Sequence, residues 1–570
     1  MLVTLKRSMC CVIALIMTAA LAPHAAAQDV PEGTVTRHTF ANSRIFPGTQ
    51  RTYWLYVPAQ YDGSAPACVY VNQDGRQFNA PAVFDKLIAA GDMPITIGVF
   101  VTPGVVPAAR EGALPRFNRS YEYDSVNDNY VRFLTQELLP HVAREHDLNL
   151  SRDGKDRAIG GTSSGAIAAF TAAWERPDAF SRVFSGIGTY VGLRGGNDYP
   201  TLIRKFEPKR IRVFLQDGSN DLNIYGGDWW MANQTMERAL TFAGYEVSHV
   251  WDEGQHNGRG ATAVFEDGMK FLWADWPAPV GVGAGSPNLR AVVDADQEWQ
   301  LVGEGYRFTE GPTPSTDGGF YFNDVVTDIT YRVSPDGEVS TFLEDSLGGD
   351  GQSIGPDGRL YANATEPRQV IAWDAEGNAE VIAEGIPGND ITVLNNRAIY
   401  VTSPDSNNPN NSRILYVSPT GESRFVDSGL RFPNGVVASP DQTLLYVADS
   451  YSHWVYSYSI NEDGSLTNKQ RFYHMHRPDL SDDSSADGLA VDVEGNLYVA
   501  TDMGIQVCDQ AGRVNFIMQT PNGRVANLTI GGPDGNTLFA ACGDKMYKRQ
   551  LRVQGARNYQ TPITPPRPRL

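Results

Sequence analysis

Between Arg37 and Trp276 the apolar positions follow two alternating rhythms. Tyr53 to Val57, Cys68 to Val71 and Ile95 to Val101 are short runs of aromatic and β-branched residues, the mark of strands. The last is apolar at almost every position, as expected of a strand covered on both faces. Asn127 to Glu145, Ala166 to Arg176 and Met231 to Phe242 carry helical spacing instead, the second stopped by Pro177. Further strands are read at Arg157 to Gly160, Ile211 to Leu215 and Glu246 to Trp251. Strand and helix in alternation predict a mostly parallel sheet flanked by helices over residues 37–276.

Beyond this the pattern changes. Residues 277–290 have no periodicity and are rich in Gly, Pro and Ala, which suits a linker. No helical spacing follows. A Gly or Asn turn followed by a short aromatic or β-branched strand recurs six times, beginning at Asp317, Asp357, Asn396, Gln442, Glu494 and Asp534. The copies lie roughly 40 to 53 residues apart, the length of one four-stranded blade. Six copies predict an all-β, six-bladed propeller over residues 291–552. Residues 553–570, with four prolines, are expected to trail as a disordered tail. The fold class is therefore multidomain, α/β followed by all-β.

Composition narrows the partners. A formal net charge of −19 argues against a nucleic-acid surface, which draws its affinity from clustered Lys and Arg. Lys6 and Arg7, the apolar run Cys10 to Leu21 and the small residues Ala25 to Ala27 read as an export signal over residues 1–27. This predicts a secreted or periplasmic protein. No other stretch is apolar enough to span a bilayer, so no membrane insertion is expected. Cys68, Cys508 and Cys542 remain after the leader, which is no disulfide framework. Buried free thiols are the simpler reading, and a Cys508–Cys542 pair is the alternative.

A serine nucleophile needs a base, a group to orient that base, and an oxyanion hole. The pattern G-x-S-x-G occurs twice, so it cannot decide alone. Gly351-Gln-Ser353-Ile-Gly355 runs into the turn Pro356-Asp357-Gly358 and is read as a loop of the all-β half. Gly161-Thr-Ser163-Ser-Gly165 follows a strand and opens a helix, the context a nucleophile elbow requires. Ser163 is the expected nucleophile, with Ser164 the out-of-register alternative. In elbow hydrolases the chain order is nucleophile, acid, histidine. Only His249 and His256 lie between Ser163 and the linker, and His256 is preferred because it follows a strand end. Asp217 and Asp221 compete as the acid. Asp221, further out on its loop, is preferred. Ser164 and Gly75 are the expected backbone donors of the oxyanion hole. Trp229 and Trp230 are candidates for lining an aromatic or sugar pocket, with packing in the helix core as the alternative.

The elbow, the loop Gly218-Ser-Asn-Asp221 and the loop Gly254-Gln-His256 resemble the esterase D and enterochelin-esterase family, which includes feruloyl and acetyl-xylan carbohydrate esterases. Asn118-Arg-Ser-Tyr-Glu-Tyr-Asp124 is similar to that family's "EYD" segment. The resemblance implies an α/β-hydrolase fold and ester hydrolysis without a cofactor in this domain. Many relatives carry His-Gly in the oxyanion loop where this chain has Asn72-Gln-Asp-Gly75.

In the second half, Glu310-Gly-Pro, Asn389-Asp390, Pro433-Asn-Gly435 and Ala486-Asp-Gly488 recur at blade starts. Each alone is a turn signal, but a ring of Glu, Asn and Asp oxygens suits a hard cation. Phe308 to Pro312, Arg431 to Gly435 and Asn527 to Gly532 resemble the gluconolactonase, senescence-marker-protein and luciferin-regenerating-enzyme family. That resemblance implies metal-dependent lactone hydrolysis. Glu310, Asn434 and Asp487 are its metal ligands, Asp487 also its base, Asn389 and Arg368 its substrate contacts. Ca2+ is the expected ion, with Zn2+, Mg2+ or Mn2+ as alternatives. Thr402-Ser403-Pro404 departs from the family's Thr-Asp-Pro.

These readings predict a secreted carboxylic ester hydrolase acting through a Ser-His-Asp acyl-enzyme on feruloyl or acetyl esters of carbohydrates, with a lactonase-like second domain. The alternatives are a siderophore ester hydrolase, an esterase whose propeller only binds sugar or acts as scaffold, and an inactive hydrolase fold that binds ligand.

Overall fold

The computed structural model describes residues 30–294 and 297–568. The export signal expected over residues 1–27 lies outside them. Among the described residues no helix is long and apolar enough to cross a membrane.

The first domain is built on eight strands, β1 (Thr34–Phe40), β2 (Arg51–Val57), β3 (Cys68–Gln73), β4 (Thr96–Val101), β5 (Arg157–Thr162), β6 (Arg182–Gly186), β7 (Arg212–Gly218) and β8 (Glu246–Asp252). They lie in the order β1-β2-β4-β3-β5-β6-β7-β8. β1, β2 and β4 pair antiparallel, and every pair from β4 to β8 is parallel. Strands β3 to β7 are buried at every position, which explains why their sequences are continuous runs rather than alternations.

Four helices matter for the site: α1 (Ala80–Ala90), α2 (Ser164–Glu175), α3 (Trp229–Ala243) and α4 (Arg259–Trp273). α1 and α4 pack in one apolar cluster with Phe84, Phe184, Phe265 and Trp273. α2 and α3 belong to another, on Ile167, Phe170, Trp174 and Leu240. Residues 129–145 are helical throughout but pass through a π segment, Phe133–Leu138.

The second domain is sheet-rich. It holds four four-stranded sheets and one seven-stranded sheet. Six strands recur as the first of a run of strands, β9 (Gln300–Pro314), β10 (Gly349–Ile354), β11 (Ile391–Val393), β12 (Pro433–Ala438), β13 (Leu489–Val491) and β14 (Asn527–Gly531), with β9 and β14 in the same seven-stranded sheet. Each touches the next, and β14 touches β9. All six repeats noted in the sequence form the strand that follows one of these, from Phe320–Asp324 to Thr537–Ala541. In the seven-stranded sheet β9 is shared. Its first part pairs with β15 (Gly543–Gln550), and its last part with Phe320–Asp324. The second G-x-S-x-G pattern is not a loop but part of β10, where Ser353 Oγ accepts a hydrogen bond from Val393 N at 3.2 Å.

The linker packs on the first domain: Gly281 N donates to Glu246 Oε1 at 3.0 Å and Gly285 N to Ala243 O at 3.0 Å. One expectation changes, since the tail is not loose. Ala556 N bonds Val491 O, Asn558 Nδ2 bonds Thr392 Oγ1 at 2.7 Å, and Ile563 N bonds Pro440 O at 2.9 Å. Residues 556–559 line a small cavity with Gln352, Asp390 and Asn527. Backbone polar groups of a proline-rich segment are satisfied by docking on the hairpins, a contact that no local pattern encodes. Cys68, Cys508 and Cys542 are buried and free, so the alternative Cys508–Cys542 pair is not formed.

Candidate functional site

The carboxyl ends of the parallel strands deliver the reactive groups to one edge of the sheet. β5 ends at Thr162, and Ser163 turns sharply into α2 with φ 56° and ψ −123°. Such a backbone costs a non-glycine residue about 1–3 kcal/mol and persists only when the surroundings enforce it. The flanking glycines allow it. A Cβ on Gly161 would lie 2.8 Å from the Gly165 backbone, and one on Gly165 would lie 3.0 Å from Gln73 Cβ. Substitution at either would force strand and helix apart.

Three expected residues meet. His256, in the loop after β8, has Nε2 2.9 Å from Ser163 Oγ and Nδ1 2.6 Å from Asp221 Oδ1. Burial works to raise the Asp221 carboxyl, but hydrogen bonds from His256, Asp217 and Leu222 N hold it below its usual range. The competing candidates lie elsewhere. His249 is exposed on the edge strand β8, stacked on Trp251. Ser164 Oγ accepts from Arg119 Nη1 at 3.0 Å. Asp217 is fully buried behind the site, accepting from Gly218 N at 2.7 Å and Asn233 Nδ2 at 2.8 Å. Burial, with Asp221 beside it, pushes its carboxyl up to about 9.

The oxyanion donors need one correction. Ser164 N has no partner among the described residues, as the first amides of a helix allow. Gly75 N, however, donates to Val101 O at 3.0 Å and is not available. Its neighbour Asp74 N makes only a 3.3 Å bond to Tyr123 Oη and is the donor this loop can offer. Arg119 grips the Asp74 carboxylate through Nε at 2.8 Å and Nη2 at 2.9 Å. The segment carrying Arg119 and Tyr123 is anchored in turn by a buried pair, Arg51 Nη1 to Glu122 Oε2 at 2.8 Å. The Asn118-to-Asp124 motif thus shapes the loop opposite the nucleophile.

Trp229 does not offer a sugar platform. Only 3 % of it is exposed; its ring packs edge-on against His256, and Nε1 donates to Thr189 Oγ1 at 3.2 Å. Thr189, which no sequence pattern singles out, is also 3.2 Å from Ser163 Oγ.

In the sheet-rich domain the starts of the first strands bring carboxylates together. Glu310, on β9, is buried and accepts from Asn527 Nδ2 and Gly311 N, both at 2.9 Å. Asn389 Nδ2 donates to Asp350, and Asp390 accepts from Ile391 N at 2.9 Å and Val436 N at 3.2 Å. Asn434 Nδ2 donates to Ser450 Oγ at 3.1 Å, leaving its Oδ1 for a ligand. Burial and mutual repulsion push Glu310 up to about 8 and Asp390 to about 7, and hold Asp487 well above the usual carboxylate range. Burial raises Asp350 to about 6 despite its bond from Asn389. Asp390 stands in the candidate Asn389-Asp390 motif without a role of its own, and Asp350 lies in none of the motifs. Arg368 sits exposed in the turn between Leu360–Ala364 and Gln369–Trp373, and its side chain joins none of these hydrogen bonds. Among the described residues no three His, Cys, Asp or Glu side chains converge at coordination distance. The donors are nonetheless all oxygen and carry excess negative charge, which fits a hard cation by chemistry.

Comparison with known proteins divides the chain in two. Residues 44–245 match the family model described as "Putative esterase", and residues 302–542 match the SMP-30/Gluconolactonase/LRE-like region. A gluconolactonase of Zymomonas mobilis subsp. mobilis is 26 % identical over 307 residues, 47 % of this chain and 86 % of its own. A solved gluconolactonase of Xanthomonas campestris aligns at 23 % identity and TM-score 0.42, covering 46 % of this chain and 93 % of that one. The enterobactin esterase FES of Shigella flexneri aligns at 19 % identity and TM-score 0.33, covering 43 % of this chain and 62 % of that one.

Proposed function

We propose that this chain, in which an esterase-family domain is joined to a gluconolactonase-like one, is a carboxylic ester hydrolase working through a serine acyl-enzyme. The observation that carries the reading is the unbroken hydrogen-bonded series Ser163–His256–Asp221. Ser163 Oγ attacks the ester carbonyl carbon while its proton passes to His256 Nε2. Asp221 accepts from His256 Nδ1 and stabilises the imidazolium that forms. The carbonyl oxygen, now negative, is received by the amides of Ser164 and Asp74. Collapse expels the alcohol, which takes the proton back from His256. Water then repeats the sequence on the acyl-enzyme and frees the acid.

We assign the substrate to acylated carbohydrates, feruloyl or acetyl esters, on the family resemblance. A catechol siderophore ester is the rival within the same chemistry. Export through the N-terminal leader belongs to the same proposal and rests on the sequence alone.

The second domain is read as a six-bladed propeller. The seven-stranded sheet counts as two blades that share β9, and the remaining sheets are one blade each. Its activity is assigned as metal-dependent lactone hydrolysis. Glu310, Asn434 and Asp487 would hold a divalent ion, Ca2+ foremost, with Asp350 and Asp390 beside them. Such an ion, when bound, polarises a lactone carbonyl. Asn389 would orient substrate and Asp487 would take the proton from water. Ser403 in place of a carboxylate favours one second reading, in which this domain binds sugar without cutting it.

Ser163→Ala is expected to cut p-nitrophenyl ester turnover by at least about a thousandfold. Full turnover in that variant would sink the serine reading. Lactone hydrolysis should survive in Ser163→Ala with Ca2+ and disappear with chelator. Intact lactones in the presence of the wild-type protein and Ca2+ would leave the binding-module reading standing.

A further inference from the structure

Hydrogen positions around Ser163 are dictated by what each group is able to donate. Asp221 as a carboxylate only accepts, so His256 Nδ1 carries the ring proton and Nε2 is the acceptor. Ser163 therefore spends its one proton on His256, and its oxygen can only accept from elsewhere. On the other side, an indole N–H only donates, so Trp229 Nε1 gives its proton to Thr189 Oγ1 at 3.2 Å. Thr189 Oγ1 has one further partner among the described residues, Ser163 Oγ at 3.2 Å. Its own proton must point there.

From this we infer that Thr189 and Trp229 form a positioning pair that fixes the Ser163 hydroxyl on His256. The series runs in one direction, from Trp229 through Thr189 and Ser163 to His256 and Asp221. Both members are locked. Thr189 is 1 % exposed, its amide donates to Ser163 O at 3.3 Å, and Asn233 Nδ2 holds Gly188 O at 2.9 Å. Trp229 opens α3 behind the cap of Asp228, donates its amide to Leu222 O at 2.9 Å, and packs its ring edge-on against His256. The pair thus reaches the nucleophile and the base at once. Without the Thr189 proton, the Ser163 oxygen keeps a bond only to His256, and its rotamer is free to leave the line of attack.

The inference rests on the esterase reading of Ser163, and its test separates the two. The full chain is labelled with a fluorophosphonate, and the second-order inactivation rate is measured together with kcat and KM for a p-nitrophenyl ester. Thr189→Val should lower the labelling rate and kcat roughly 10- to 100-fold with KM little changed, because only the orientation of the attacking group is lost. Thr189→Ser should recover all but about threefold of that loss. Trp229→Phe should lower both rates, and the Thr189→Val/Trp229→Phe double variant should be no slower than Thr189→Val alone, since both cut one link. Labelling at the wild-type rate in Thr189→Val, equal losses in the Val and Ser variants, or additive losses in the double variant would overturn the pair. A wild-type protein that is not labelled at Ser163 would overturn the esterase reading instead. Thr189→Ser, the least disruptive change, keeps the comparison valid if Thr189→Val folds poorly.

Discussion

Asp217 carries a measurable cost at the scale of a single residue. It is held protonated behind Asp221, and its carboxyl is raised from the usual range to about 9. The unfolded chain releases this proton near pH 4 and the folded one near 9. A raised carboxyl contributes stability in full below the unfolded value and loses it as pH climbs through the folded one. Thermal melts should therefore show Asp217→Asn gaining on the wild type from about pH 4 upward and levelling above about pH 9. Parallel profiles would mean that Asp217 is ionised in the fold. The amide keeps the hydrogen that protonated Asp217 supplies to Asp221 in the wild type, where Asp221 Oδ2 has no other partner. The placement of Ser163, His256 and Asp221 was readable because each follows a strand end in a fixed order. Thr189 and Asp350 were not, because their roles depend on what lies across space from them, and the loop at Asp74-Gly75 was placed without its donor being settled. Gly75 failed for the same reason, its amide being taken by a neighbouring strand.

At the scale of elements, β9 and the starts of β10, β11 and β13 gather Glu310, Asp350, Asp390 and Asp487 where like charges raise their neighbours. Raised carboxylates at Asp350, Asp390 and Glu310, at about 6, 7 and 8, withdraw stability as pH rises through that window. A bound divalent ion should restore it. Added Ca2+ is expected to raise the melting temperature more at pH 8.5 than at pH 5.5, and Glu310→Gln to shrink that shift. An equal shift at both pH values would place the ion elsewhere. Repeated strands were legible because each copy repeats a turn and an aromatic run. Helix α4 was not. Its Gly260 and Gly268 argue against a helix, yet a Cβ on Gly268 would lie 2.7 Å from the Phe184 ring, so the glycine lets α4 lie close on the sheet.

Across the whole molecule, the two domains are fastened rather than tethered. Phe206 bridges Ile517, Glu207 N bonds Ile517 O at 3.1 Å, and Arg549 pairs with Glu207 at 2.7 Å. One apolar cluster runs from α2 into the sheets around Tyr446 and Tyr473. Such contacts join residues far apart in the chain, which is why the tail was read as loose. Removal of residues 553–570 is expected to lower the melting temperature by a few degrees while leaving the far-ultraviolet strand signal intact. Truncation before Gly543 should abolish that signal from the second domain, as measured by circular dichroism.

That contrast follows from β9. Its opening residues, Gln300 to Glu304, find their partners in Lys545 to Lys548. A nascent chain makes these segments some hundreds of residues apart, so the seven-stranded sheet stays incomplete until nearly all of the domain has been synthesised. The first domain has no such wait and can finish folding first. A chain released before its last strands are made therefore carries a completed first domain and an incomplete second one. A stalled or clipped product would keep that first domain while exposing unpaired strand edges to its neighbours.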